Sequence, residues 1–190
     1  QQYTNYQCVI IDDCSTDKSA TIVESLIKTN DRFLFIKNTT KKNALANIMA
    51  GIQASNANDD DVIITVDGDD WLAHKGVLDR VKEAYDTTNC MMTHGSYQEH
   101  PSGKSSHTWM QALPDIVKIC GLYRWYAWQL SHLRTFKYSL FKHVKDKDLK
   151  NNSENYYDMA GDLALMYPIA ELCDGNITYI DDVLYIYNRE

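Results

Sequence analysis

Short apolar runs alternate along the chain with segments whose apolar positions recur at helical spacing. Residues 7–11 (QCVII), 33–36 (FLFI) and 62–66 (VIITV) each read as a buried strand. Between them, Asp17 can cap a helix carrying Ala20, Val23 and Ile27 on one face, and Asn43 can start another carrying Leu45, Ile48, Met49 and Ile52. Strand, helix, strand, helix, strand predicts an α/β fold with a mostly parallel central sheet flanked by helices. Ligands of such sheets bind outside the carboxyl ends of the strands.

Both acidic clusters of this part of the chain fall there. The first strand runs into residues 12–17 (DDCSTD) and the third into residues 67–70 (DGDD). Adjacent parallel strands would bring the two clusters to one rim, where converging carboxylates repel unless a cation joins them. The pattern therefore predicts that the third strand delivers ligands to a divalent metal, with Gly68 permitting a tight turn. Asp, Ser and Thr also cap helices and fill turns, and for Ser15 and Asp17 that ordinary role serves at least as well. A turn needs one or two such residues, not three carboxylates of one sign.

Composition trims the alternatives. A chain of 190 residues, 44% hydrophobic and 24% charged, is sized for one domain with a sizeable core. No apolar run approaches the ~18 residues needed to span a bilayer, and the first residues carry no basic segment leading into an apolar one. The expected location is therefore the cytoplasm or the cytoplasmic face of a membrane. Five cysteines (Cys8, Cys14, Cys90, Cys120, Cys173) are scattered without CxxC spacing, so buried free thiols are expected, not a disulfide framework or a zinc site. A formal net charge of -7 argues against nucleic-acid binding. A phosphate ligand would need help from a metal.

Rival motifs fail on the residues. An EF-hand loop starting at Asp67 would place Trp71, Leu72 and Leu78 where an oxygen ligand, a glycine and a glutamate are required. Neither a GxGxxG fingerprint nor a GxxxxGK[ST] phosphate loop occurs. A phospho-receiver domain would want a Lys-Pro pair after a fifth strand, and the chain has none.

The blocks VIIDDCSTDKS (9–19), NIMAGIQAS (47–55) and IITVDGDDWL (63–72) resemble successive blocks of the family 2 glycosyltransferases with the GT-A fold. SHLRTFK (131–137), GDLALMYPIAEL (161–172) and VLYIYNRE (183–190) are similar to later blocks of bacterial and viral sugar transferases of that family. The order and approximate spacing hold across nearly the whole chain. The resemblance implies a single GT-A-like, Rossmann-like domain over residues 1–190, with a nucleotide-binding part at about 1–75 and an acceptor and catalytic part at about 76–190. Members of the family usually open with one more strand and helix, about thirty residues, the size of a strand with its crossover. The expectation is therefore a truncated chain or a piece of a longer multidomain one.

Roles carry over residue by residue. Asp12 and Asp13 resemble the acids that hold the ribose and base, a task suited to carboxylates that accept from ribose hydroxyls and a pyrimidine imide N–H. Lys42 falls near a basic position that approaches the nucleotide in relatives, although it could equally flank a helix start. Asp67 and Asp69 form the DxD motif and imply Mn2+ or Mg2+ bridging to diphosphate oxygens. His132 and Arg134 would offset leaving-group charge. Asp162 matches the general base of inverting members, and Asp158 competes with it if the segment is already helical. Capping a helix is the plain alternative for both.

The aromatic segment 121–141 could stack on sugar faces or simply build core. His74, His94, His100, His107 and His143 read as surface or structural residues, and residues 94–107 (HGSYQEHPSGKSSH) as a polar hairpin or loop over the site. Together these readings imply a metal-dependent, inverting glycosyltransferase that moves a sugar from a nucleotide-diphosphate donor, a UDP-sugar foremost, to a glycan or other hydroxyl acceptor. The alternatives are a sugar nucleotidyltransferase and a catalytically idle sugar-nucleotide-binding module.

Overall fold

Each of the three apolar runs contains a strand, and each helical stripe lies on a helix. The computed structural model describes residues 1–190. Its elements are β1 (Cys8–Asp12), α1 (Ser19–Ile27), β2 (Phe33–Lys37), α2 (Ala44–Ala54), β3 (Val62–Ile64), β4 (Trp71–Leu72), α3 (Val77–Thr88), β5 (Met92–His100), α4 (Asp115–Ile119), β6 (Thr135–Lys137), α5 (Tyr138–Phe141), α6 (Gly161–Leu172) and β7 (Ile177–Asn188). They group into two compact units, one of Asn5–Asn58 with Asp146–Ala164, the other of Gln1–Thr4, Asp59–Lys145 and Leu165–Glu190.

In the smaller unit β1 and β2 pair in parallel, Cys8 opposite Phe33 and Asp12 opposite Lys37. The crossover α1 buries Ala20 and half-buries Val23 and Ile27, and α2 buries Leu45, Met49 and Ile52 of its expected stripe, with Ile48 half-buried. Asp17 accepts a hydrogen bond from the Ser19 amide at 2.9 Å, so it serves the entry to α1. At the start of α6, Gly161 sits so close to Leu45 that a β-carbon there would lie 3.0 Å from the leucine's own.

The larger unit carries a five-stranded sheet in the order β3-β6-β5-β7-β4. Only β5 and β7 run parallel; β3–β6, β5–β6 and β4–β7 are antiparallel. The α/β class stands, but the sheet is mixed and not mostly parallel, because an apolar run marks a buried strand without marking its direction. β1 pairs with β2 and β3 with β6, so the two acidic clusters follow strands of separate sheets. β3 is also shorter than its apolar run, since its partner β6 begins at Thr135, opposite Ile64, and Val66 is left exposed. Val77, Val81, Ala84 and Tyr85 of α3 pack with Leu133, Ile180, Leu184 and Tyr185 as the core beside this sheet.

Residues 94–107 form the expected hairpin only in their second half, where Gln98 bridges antiparallel to Ser105. His94–His100 lies in β5, with His94 and Ser96 buried, and only the residues after it turn, closed by Glu99 N–H to the Lys104 carbonyl at 2.8 Å. Buried Ser96 is paired within the protein with the Tyr179 hydroxyl at 2.8 Å, whereas His94 Nδ1 is buried without a hydrogen-bond partner. All five cysteines are free; Cys90 and Cys173 are buried, whereas Cys14 and Cys120 are exposed. No helix is long and apolar enough to cross a membrane.

Candidate active site

In the smaller unit the end of β1 is wired to the loop before α2. The Asp12 carbonyl accepts the Asn38 amide at 2.9 Å, and its buried carboxylate accepts the Ser15 amide at 3.2 Å. Asp13 accepts from the Lys42 amide at 2.8 Å, the Asn38 side chain at 2.9 Å and the Asn43 amide at 3.0 Å. Desolvation pushes the Asp13 carboxyl up, but its hydrogen bonds with Lys42, Asn47, Asn38 and Asn43 outweigh this and hold it down at about 2. Those four partners match the roughly four acceptor sites of a carboxylate. Asp13 is thus the anchor of the loop, and Asp12 keeps acceptor capacity to spare.

Lys42 holds Asp13 through its backbone; its exposed side chain borders a cavity of about 660 Å3 with Lys41, Lys150, Asn43 and Asp158. Asp158 accepts from the Asn43 side chain at 2.8 Å. It does not share a helical face with Asp162, because Ala160 has a φ of 54° and α6 begins only at Gly161. Asp162 stands in the first turn of α6, half-buried, with the Leu163 amide at 2.9 Å from its carboxylate. A carboxylate in a helix's first turn is favoured by the helix dipole.

In the larger unit the DGDD turn answers why three carboxylates follow one strand. Asp70 points inward: its oxygens accept from the Tyr185 hydroxyl and from the Asn188 amide, each at 2.7 Å. The same hydroxyl accepts the Asp67 amide at 3.1 Å. Burial pushes the Tyr185 hydroxyl far up, so it remains a donor to Asp70 at any physiological pH. Asp69 is exposed and the Asp67 side chain is 45% exposed. Gly68 does not adopt the left-handed backbone, and a β-carbon on it would meet nothing within 4 Å. Its lack of a side chain is therefore not demanded by the turn; it leaves the space beside the two outward carboxylates open.

Arg134 and His132 come together behind Asp67, both buried. An Arg134 terminal nitrogen is 3.9 Å from the Asp67 carboxylate and 3.2 Å from His132 Nδ1. Burial, and then the Arg134 charge, lower the His132 pKa to about 3. His132 is neutral, so the positive charge of this pair belongs to Arg134 alone. The imidazole stacks on the Tyr185 ring, centroids 4.3 Å apart and planes 14° from parallel. Tyr185 and Asn188 went unassigned in the sequence, although a tyrosine in a buried strand must find a partner for its hydroxyl.

The aromatic segment divides between core and surface. Phe136, Phe141 and Tyr123 are buried, Trp128 packs edge-on to Tyr167, and Trp125 is 89% exposed. His94 is buried against Tyr179 as a structural residue.

No group of three or more His, Cys, Asp or Glu side chains is arranged to hold a metal. The donor set still fits Mg2+ or Mn2+, which take one or two carboxylates from the protein and complete their shell with phosphate oxygens and water. Asp67 and Asp69 are the carboxylates of the DGDD turn that would serve that arrangement.

Residues 1–161 match the family model described as Glycosyl transferase family 2. S. aureus TarS 1-349, solved in complex with UDP-GlcNAc, has a similar structure: TM-score 0.66, 16% identity, over 97% of this chain and 50% of that one. The mannosyltransferase PcManGT from Pyrobaculum calidifontis, solved with GDP-Man and Mn2+, is similar with a TM-score of 0.60 and 14% identity, over 95% of this chain and 47% of that one. The chain thus spans about half the length of these proteins and shares their fold. No curated protein matches it.

Proposed function

The chain belongs to glycosyl transferase family 2, and we propose that it transfers a sugar from a nucleotide-diphosphate donor to a glycan or other hydroxyl acceptor, with inversion. The observation that carries this reading is the division of labour in the DGDD turn, where Asp70 is drawn into the protein while Asp67 and Asp69 remain outward beside open space. A turn serving structure alone would need only Asp70.

Asp69, with Asp67, would hold Mn2+ or Mg2+. When bound, the cation supplies charge neutralisation for the departing diphosphate. Arg134 adds fixed positive charge behind Asp67. Asp12 accepts from donor hydroxyl or imide groups, while Asp13 and the Lys42 and Asn43 amides hold the neighbouring loop in shape. Asp162 takes the acceptor hydroxyl proton as the new bond from the acceptor oxygen to the anomeric carbon forms and the bond to the diphosphate breaks. A UDP-sugar is the first donor class to test; TarS was solved with UDP-GlcNAc and PcManGT with GDP-Man.

Calorimetric titration with a panel of UDP- and GDP-sugars, with and without Mn2+, tests the reading. One donor should bind, and excess chelator or Asp69→Asn should weaken it by at least about tenfold, the scale of losing a charge-assisted contact. Donor affinity unchanged by chelator overturns the metal bridge, and binding without transfer to any hydroxyl acceptor favours an idle binding module.

A further inference from the structure

We propose that Tyr185, on the last strand β7, is a positioning residue for the DGDD turn: its hydroxyl sets the spatial relation of the two outward carboxylates, and so the affinity for a divalent cation bridged to a diphosphate. The inference deepens the reading above and rests on it for the ligand, but its geometry stands alone.

Three contacts converge on this one side chain, which is fully buried. Its hydroxyl accepts the Asp67 amide at 3.1 Å and donates to Asp70 at 2.7 Å, and so grips the turn at its first and last residues. A second bond from β7, the Asn188 amide to Asp70 at 2.7 Å, fixes the same carboxylate from its other oxygen. The Tyr185 ring lies flat on His132, which contacts Arg134, which in turn lies 3.9 Å from the Asp67 carboxylate. Asp67 is therefore held from its backbone by the hydroxyl and from its side chain by the arginine, both backed by the same tyrosine. Asp69, between the gripped residues, is carried by the turn with its side chain exposed. Removing the hydroxyl leaves packing intact while freeing the Asp67 amide and one oxygen of half-buried Asp70, whose pull then distorts the turn.

The test compares Tyr185→Phe with wild type and with Tyr179→Phe, which removes another hydroxyl from β7, bonded to Ser96 at 2.8 Å and to the Met110 carbonyl at 3.0 Å. Two readouts are taken: amide hydrogen exchange of residues 67–72 without any ligand, and nucleotide-sugar affinity titrated with and without Mn2+. Tyr185→Phe should speed exchange across 67–72 while β5 and α3 keep wild-type protection, and should lower the Mn2+-dependent gain in affinity about tenfold while leaving metal-free affinity unchanged. Tyr179→Phe should do neither. Asp70→Asn, which keeps the side chain's size but weakens it as an acceptor, should reproduce the effect in milder form.

Wild-type exchange at 67–72 in Tyr185→Phe overturns the proposal. So does an equal loss of metal-free and metal-dependent binding, which would mark a purely structural residue. If wild type itself shows no Mn2+-dependent binding, the metal reading of the site falls. The exchange arm then decides alone: faster exchange confined to 67–72 sustains Tyr185 as the residue that fixes the turn, and unchanged exchange overturns it.

Discussion

Two aspartates four positions apart compete for one chemical role, and their surroundings separate them. Asp158 is exposed and accepts from the Asn43 side chain, whereas Asp162 stands in the first turn of α6. Asp162→Asn keeps size and removes the proton acceptor, so donor binding should stay near normal while turnover falls about 10²–10⁴-fold. Asp158→Asn should cost little beyond a weakened surface hydrogen bond, about 1 kcal/mol or less. Single-turnover transfer under saturating donor distinguishes them: more than about a tenth of wild-type turnover in Asp162→Asn removes it from the base position, and a dead Asp158→Asn moves the role there.

At the scale of the element, α6 matters through its first residue. Gly161 lets the helix start against the buried Leu45 of α2, and a methyl group there would meet the leucine's β-carbon at 3.0 Å, an atom that no rotamer change can move away. Alanine favours helix interiors over glycine by about 1 kcal/mol, but at the first helical position that gain is small and overpacking, about 1–3 kcal/mol, wins. Gly161→Ala should therefore lower the melting temperature by roughly 2–8 °C. A rise would show that α2 yields freely. The exposed Trp125 behaves oppositely: Trp125→Leu should change stability by less than about 0.5 kcal/mol, so any altered acceptor requirement in that variant reports contact with acceptor. Trp128→Leu, which breaks the packing on Tyr167, should lower the melting temperature instead.

Across the whole molecule, acid stability is set by imidazoles that the fold keeps uncharged. Burial lowers His94 to about 4, and burial with the Arg134 charge lowers His132 to about 3, both from an ordinary value near 6.5. Below pH 6.5 the unfolded chain takes up these protons while the folded protein refuses them, so stability falls as pH drops from 6.5 towards 4 and 3. Each residue contributes at most about 1.4 kcal/mol per pH unit in that window. Asp13, depressed to about 2, keeps its contribution above the usual carboxylate range and loses it only as pH falls from about 4 through 2. Denaturant midpoints at pH 7.5, 6 and 4.5 should decline in that order, with a smaller decline in His94→Gln. A flat profile would mean that the imidazoles are solvated.

Much of this protein was legible along the chain because the forces involved are local or periodic. The apolar runs at 7–11, 33–36 and 62–66 produced the strands Cys8–Asp12, Phe33–Lys37 and the shorter Val62–Ile64. Leu45, Met49 and Ile52 of the expected α2 stripe are buried with Ile48 half-buried, and the acidic blocks fell at or just past strand ends. Burial of a repeating face needs only the repeat. Strand direction, and with it the mixed sheet, depended on partners far away in the chain, as did the burial of the polar segment around His94, where Tyr179 satisfies what composition reads as solvent-exposed. The acids show the same limit most sharply. Residue type and order sufficed to mark Asp12, Asp13, Asp67, Asp69 and Asp70 as a set, but only tertiary contacts decided which are consumed by the fold. Asp13 is spent on the loop before α2, and Asp70 on Tyr185 and Asn188, more than a hundred residues downstream. A carboxylate's availability depends on which donors reach it, and those donors are brought by the fold, not by its neighbours in sequence.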